Sequence, residues 1–166
     1  MSVNGSIKLK DTKNKYIFWD VDGTLAPYRF NDHVGDPDGT ENGMSIDEIN
    51  KHVFLYRDPS RHMQRVIKEC MAKENIVMGH CQIRQELEDK MIWLNRHYPE
   101  IVERLLIYES HSKADTILKY CKEKGIELKD VLFVDDVITF LREAERKGIR
   151  SYHISSFLDW DLQWQN

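Results

Sequence analysis

The sequence predicts a three-layer α/β fold around a central parallel sheet, and three observations predict it. Short apolar runs recur at Tyr16-Ile17-Phe18-Trp19, Ile76-Val77-Met78, Leu105-Leu106-Ile107 and Val131-Leu132-Phe133-Val134. They are continuous rather than alternating, which is how strands covered on both faces read. The segments between them carry apolar residues at helical spacing, and strands alternating with helices specify a parallel sheet joined by crossovers. A length of 166 residues corresponds to one domain, and a content of 41% hydrophobic residues suffices for a buried core.

The first strand stops at Asp20. Residues 26–59 then break the pattern, holding three of the four prolines and three of the eight glycines with little periodicity. Within a single domain spanning residues 1–166, a segment this long is expected to be a small cap or flap over a site. A capping box at Ser45-Ile46-Asp47-Glu48 is expected to open one short helix in it. Met63, Val66, Ile67 and Cys70 form an i, i+3, i+4, i+7 stripe leading to the second strand. Leu87, Met91, Leu94 and Tyr98 form the next stripe, halted by Pro99. Ala114, Ile117, Leu118 and Cys121 precede the fourth strand. Phe140, Leu141 and Ala144 open a last helix that Gly148 ends, and Ser151-Tyr152-His153-Ile154 is expected as a fifth strand. These stripes read as core. Trp160 and Trp164 either pack on the domain or meet a second copy, which leaves the oligomeric state open.

Composition excludes several classes. No apolar run approaches the ~18 residues of a membrane helix, so no membrane partner is expected. The first residues, MSVNGSIKLKDTKNK, contain no apolar stretch of the kind a secretory signal needs. A net charge of -4 without a basic stripe argues against a dedicated nucleic-acid surface. Cys70, Cys81 and Cys121 are odd in number and unpaired in spacing, as free thiols in a reducing cytoplasm are. A cytoplasmic location is the expectation.

Chemistry concentrates at two strand ends. Asp20-Val21-Asp22-Gly23-Thr24 closes the first strand, and Gly23 permits a tight turn that lets both aspartates face one site. Asp135-Asp136 closes the fourth strand. Open α/β sheets bind ligands at the carboxyl ends of strands, beside the point where strand order reverses. If these two strands are neighbours, up to four carboxylates converge, each like-charge pair costing about 4 kcal/mol at 4 Å and an effective dielectric of 20. Such a cluster needs a cation, and all-oxygen ligands point to Mg2+. Ser112 reads as an N-cap with Asp115 three residues on, which makes Lys113 the first helical residue. A cation there opposes the helix dipole by roughly 0.3–1 kcal/mol, and at the end of the third strand it faces the same edge as the carboxylates.

On these residues the sequence resembles the haloacid dehalogenase-like phosphatases. Asp20 to Thr24 match the family's Asp-x-Asp-Gly-(Thr/Val) motif, Lys113 its helix-start lysine, and Asp135-Asp136 its acidic pair. The order and spacing fit over roughly residues 15–155. The resemblance implies a Rossmann-like fold with a small cap or flap insertion after strand one, and hydrolysis of a small phosphorylated substrate. It implies Asp20 as nucleophile, Asp22 as general acid and base, and Lys113 as the neutralising cation. Mg2+ would be held by Asp20, the Asp22 carbonyl and Asp136, with Asp135 bound directly or through water. Gly23, Thr24, Gly79 and His80 are the implied phosphate contacts. The family's Ser or Thr at the end of strand two is here read as Gly79, a lost hydrogen bond of roughly 1.5–3 kcal/mol, with His80 as the substitute donor. That departure supports an alternative, a weak or inactive phosphate-binding scaffold on the same fold. Within the insertion, Tyr28, Arg29, His33, His52, Tyr56 and Arg57 are weaker candidates for substrate contact. A receiver domain is disfavoured, because the third strand ends Tyr108-Glu109-Ser110 without an aspartate.

Overall fold

The structure is a computed structural model and describes residues 5–28 and 46–160. Five parallel strands, β1 (Tyr16–Trp19), β2 (Glu74–Cys81), β3 (Glu103–Tyr108), β4 (Val131–Asp135) and β5 (Arg150–His153), form one sheet in the order β3-β2-β1-β4-β5. All five expected strands are present. The first strand is central, pairing Tyr16 with Glu74 on one side and Val131 on the other. Strand order therefore reverses between β1 and β4, where the two acidic motifs end.

Five α-helices accompany the sheet: α1 (Ile46–Asn50), α2 (Arg61–Glu69), α3 (Arg84–His97), α4 (Lys113–Lys124) and α5 (Ile138–Arg146). Alternate residues of the strands face opposite layers. Ile17, Trp19, Val77 and Val134 pack with Met63, Val66 and Ile67 of α2 and Trp93 and Leu94 of α3. Phe18, Ile76, Met78 and Phe133 pack with Ala114, Ile117 and Cys121 of α4 and Leu141 and Ala144 of α5. The sheet is buried on both faces, which is why its strands are continuously apolar.

Local signals set the helix ends. Ser60 caps α2, its Oγ accepting from the Met63 amide at 3.2 Å, and Ser112 caps α4 through the Asp115 amide at 3.1 Å. Gly148 takes φ +85 just beyond α5, a left-handed conformation that costs glycine little. Trp160 is buried against Phe157, its Nε1 donating to Glu69 Oε2 at 2.8 Å, so it packs on the domain; Trp164 lies outside the described residues. No helix among the described residues is long and apolar enough to cross a membrane.

One expectation needs correction. In α3, Leu87 and Met91 are only half-buried, while Glu86, Asp89, Lys90, Trp93 and Leu94 face inward. Those charged groups are tolerated inside because Lys90 pairs with Glu86 and Asp22, and Asp89 is hydrogen-bonded to His52 and Gln85. Of the 26–59 insertion, residues 29–45 lie outside the described residues, Arg29 and His33 among them. The described remainder contains α1 and a 3-10 turn at Val53–Tyr56, with Ile49 and Phe54 buried in the core.

Candidate active site

Asp20 extends β1 by one step, its amide donating to the Val134 carbonyl at 2.9 Å. The chain then turns at Gly23, whose φ of +76 is the left-handed region. A Cβ there would stand 2.1 Å from Asp136 Oδ2, so only glycine lets the fourth-strand acid come this close. The amides of Gly23 and Thr24 are spent inside the turn, on Ala26 O at 2.9 Å and Val21 O at 3.3 Å. Neither residue is among those walling the cleft, and both shape the turn that carries the aspartates.

The turn and the end of β4 bring oxygens of Asp20, Asp135 and Asp136 within 4.8 Å of one another. Lys113, at the first position of α4 and nearly buried, sends its Nζ to Asp20 Oδ1 at 2.5 Å and Asp135 Oδ2 at 2.7 Å. Asp135 Oδ1 accepts from the Val137 amide at 2.8 Å and anchors the start of α5. Asp136 Oδ1 is buried without a hydrogen-bond partner among the described residues. Three converging carboxylates, one with an orphaned oxygen, suit a hard divalent cation.

The electrostatics agree. Burial, then the Asp135 carboxylate, push Asp20 up from 3.8 to about 7, against the pull of Lys113. Burial and Asp20 push Asp136 up to about 6. Asp135 is also raised, by burial, with Lys113 opposing. Burial disfavours the charge of Lys113, but Asp20 and Asp135 outweigh it and hold the ammonium protonated. One cation does not offset two buried carboxylates and a half-buried third, and a bound divalent ion would.

The cleft above Asp20 is walled by Asp22, Lys113 and Asp136 and by Tyr28, His80, Glu109 and Phe140. Gly79 is not in this wall. The direction of its missing Cβ runs into Val21 Cγ2 at 2.9 Å and Leu106 Cδ2 at 3.0 Å, toward the α2–α3 layer. The residue at the cleft is His80, on the opposite face of β2 and edge-on to Phe140. Burial and Lys113 lower His80 to about 4, so the ring is neutral near pH 7, and its one proton goes from Nε2 to the His111 carbonyl at 2.8 Å. Cys81 is no nucleophile, since burial pushes its thiol up to about 12.

Asp22, in the cleft wall, is held by two cations. Its Oδ1 accepts from Arg57 Nη1 at 2.9 Å and its Oδ2 from Lys90 Nζ at 2.5 Å. Arg57 is therefore a buried partner of Asp22 rather than an open substrate contact. Of the other insertion candidates, Tyr28 walls the cleft, His52 pairs with Asp89 at 3.0 Å, and Tyr56 is 71% exposed. Lys90 escaped the sequence reading altogether.

No protein-family model matches this sequence, and no curated protein matches it. Solved structures do. A haloacid dehalogenase-like family hydrolase from Streptococcus pneumoniae is 12% identical, with 83% of each chain covered and a TM-score of 0.54. A candidate phosphoglycolate phosphatase from Lactobacillus plantarum is 14% identical, covering 93% of this chain and 92% of its own, with a TM-score of 0.55. The N-terminal part of a Bacteroides fragilis protein, containing a phosphatase domain and complexed with Mg, is 13% identical with a TM-score of 0.49. Its match covers 87% of this chain, which spans 37% of that chain's length. At such identities the likeness is one of fold, and this chain has the haloacid dehalogenase-like fold.

Proposed function

We propose that the chain is a Mg2+-dependent phosphatase that hydrolyses a phosphomonoester, a nucleotide or another small phosphorylated metabolite. The observation carrying this reading is the meeting of Asp20, Asp135 and Asp136 beside Lys113 at the carboxyl ends of β1 and β4. Asp20 is the nucleophile. Its carboxylate oxygen bonds to phosphorus as the bond to the leaving oxygen breaks, and the phosphoryl group rests on Asp20. Asp22 gives a proton to the leaving oxygen and takes one from the water that releases phosphate. Lys113 offsets the charge on Asp20 and on the transferred group. Mg2+, when held by Asp20, the Asp22 carbonyl, Asp135 and Asp136, supplies further neutralisation of the phosphoryl oxygens.

Hydrolysis of a generic aryl phosphate, with and without Mg2+, tests this in wild type and Asp20→Asn. Mg2+-dependent turnover lost in the variant is the expected result, and turnover that survives Asp20→Asn refutes it. A second reading, a phosphate-binding scaffold, is favoured by one observation: no Ser or Thr hydroxyl lines the cleft among the described residues. Binding of phosphate without turnover on a broad panel of substrates is its signature.

A further inference from the structure

Lys90 is the fully buried cation of α3, and burial of that kind is rare unless the charge is paired. Its Nζ reaches Asp22 Oδ2 at 2.5 Å, the His80 carbonyl at 2.6 Å and Glu86 Oε1 at 2.7 Å. Burial alone would disfavour the charge, and the carboxylates of Asp22 and Glu86 outweigh it. Glu86 is fixed in turn, its Oε2 accepting from the Gln82 amide at 2.5 Å just past the end of β2. Arg57 completes the arrangement from the other side, its Nη1 at 2.9 Å from Asp22 Oδ1. Trp93 Nε1 donates to the Arg57 carbonyl at 2.8 Å, which ties that segment to α3 as well.

Lys113 already accounts for the cation facing Asp20, so the mechanism leaves Lys90 without a task. The core could close over a leucine or methionine at position 90 with less desolvation, since buried ion pairs seldom add net stability over apolar residues of similar volume. What an apolar residue cannot do is fix the direction of the Asp22 carboxyl. A carboxylate on a two-bond side chain rotates unless both oxygens are held, and proton transfer to a leaving oxygen demands a set orientation.

We propose that Lys90 is a positioning residue for Asp22, with Arg57 as its counterpart from the insertion. The inference rests on the phosphatase reading given above. Through the His80 carbonyl, Lys90 also locks the end of β2 to the same carboxyl, so the aromatic wall and the proton donor move as one unit. Lys90 touches neither the substrate nor the acidic cluster.

The test uses leaving groups. An alkyl phosphate needs a proton on its departing oxygen, whereas a dinitrophenyl phosphate departs as a stable anion. Lys90→Met combined with Glu86→Gln removes the cation together with its second carboxylate partner, so no new buried charge is stranded. Folding is checked by thermal unfolding. The expected result is a loss of about 100-fold in kcat on the alkyl phosphate. The loss on dinitrophenyl phosphate should stay under about fivefold, with KM and half-saturating Mg2+ nearly unchanged on both. An equal loss on both substrates, or none, overturns the proposal while leaving the phosphatase reading intact. Should the double variant fail to fold, Arg57→Lys keeps the buried charge while losing the guanidinium fork, and the same split between substrates decides. A wild type with no Mg2+-dependent turnover, or turnover insensitive to Asp20→Asn, refutes the reading itself and the inference with it.

Discussion

In the presence of a chelator near pH 8, Asp20→Asn should make the protein more stable, although it removes the proposed nucleophile. Burial and Asp135 raise Asp20 from 3.8 to about 7. At 1.36 kcal/mol per pH unit, that rise is worth about 4 kcal/mol. The sign follows from linkage. The folded chain holds this proton more tightly than the unfolded chain does, so the contribution of Asp20 is fully present below pH 3.8 and is lost as pH rises through about 7. Asparagine has no such proton. The stability gap between variant and wild type should therefore start near zero at about pH 4 and grow by about 1.4 kcal/mol per pH unit. It should level off above pH 7 at no more than about 4 kcal/mol. Lys113 is not stranded by the change, because Asp135 Oδ2 remains 2.7 Å away. Opposing titrations elsewhere, such as the lowered His80, cancel in the comparison because both proteins contain them. Paired urea unfolding curves across this pH range measure the gap, and millimolar Mg2+ should narrow it by stabilising the wild type. A gap that is absent near pH 8, or that does not change with pH, would refute the electrostatic account of the cluster.

Gly23→Ala forces a side chain onto φ +76 and within 2.1 Å of Asp136 Oδ2, and should cost roughly 1–3 kcal/mol and weaken Mg2+ binding, read by thermal melts and calorimetric titration. Gly79→Ser should bring no gain in turnover, because its Cβ points at Val21 and Leu106 rather than the cleft. The same overpacking should cost about 1–3 kcal/mol in a denaturant titration. Trp160→Ala empties a buried indole site between Phe157 and Glu69 and should destabilise by about 3–5 kcal/mol, with aryl phosphatase activity per folded molecule unchanged.

The strands and the acidic set were legible because their signals are local. A run such as Val131 to Val134 is apolar whichever partner it meets, and Asp135-Asp136 must follow it to the sheet edge. Lys113 was legible for a different reason, a cation placed against the helix dipole. Lys90 was not, because an amphipathicity pattern counts charged residues as solvent-facing. The partners that make its burial tolerable, Asp22 and Glu86, come from a distant turn and from its own helix. A trace was present all the same: Glu86, Lys90, Trp93 and His97 share one helical stripe, in phase with the buried indole. Which of Gly79 and His80 faces the cleft is a matter of register, since a shift of one residue along a strand exchanges its faces. Only the pairing of Trp19 with Val77 fixes which residue of β2 stands level with the aspartates.

The central place of β1 has a consequence for how the molecule is made. β1 is made before the other four strands of the sheet yet needs neighbours on both edges, and residue 16 finds its second partner only at residue 131. Until then Ile17, Phe18 and Trp19 have half a sheet to cover them. Parallel pairings of this sequence separation close slowly, because the loop entropy is spent before the contacts form. The nascent chain is thus most exposed to aggregation after β3 and before β4. A divalent ion held by Asp20 and Asp136 would need residues 116 positions apart to be in place, so its binding would report the completion of folding rather than an early step.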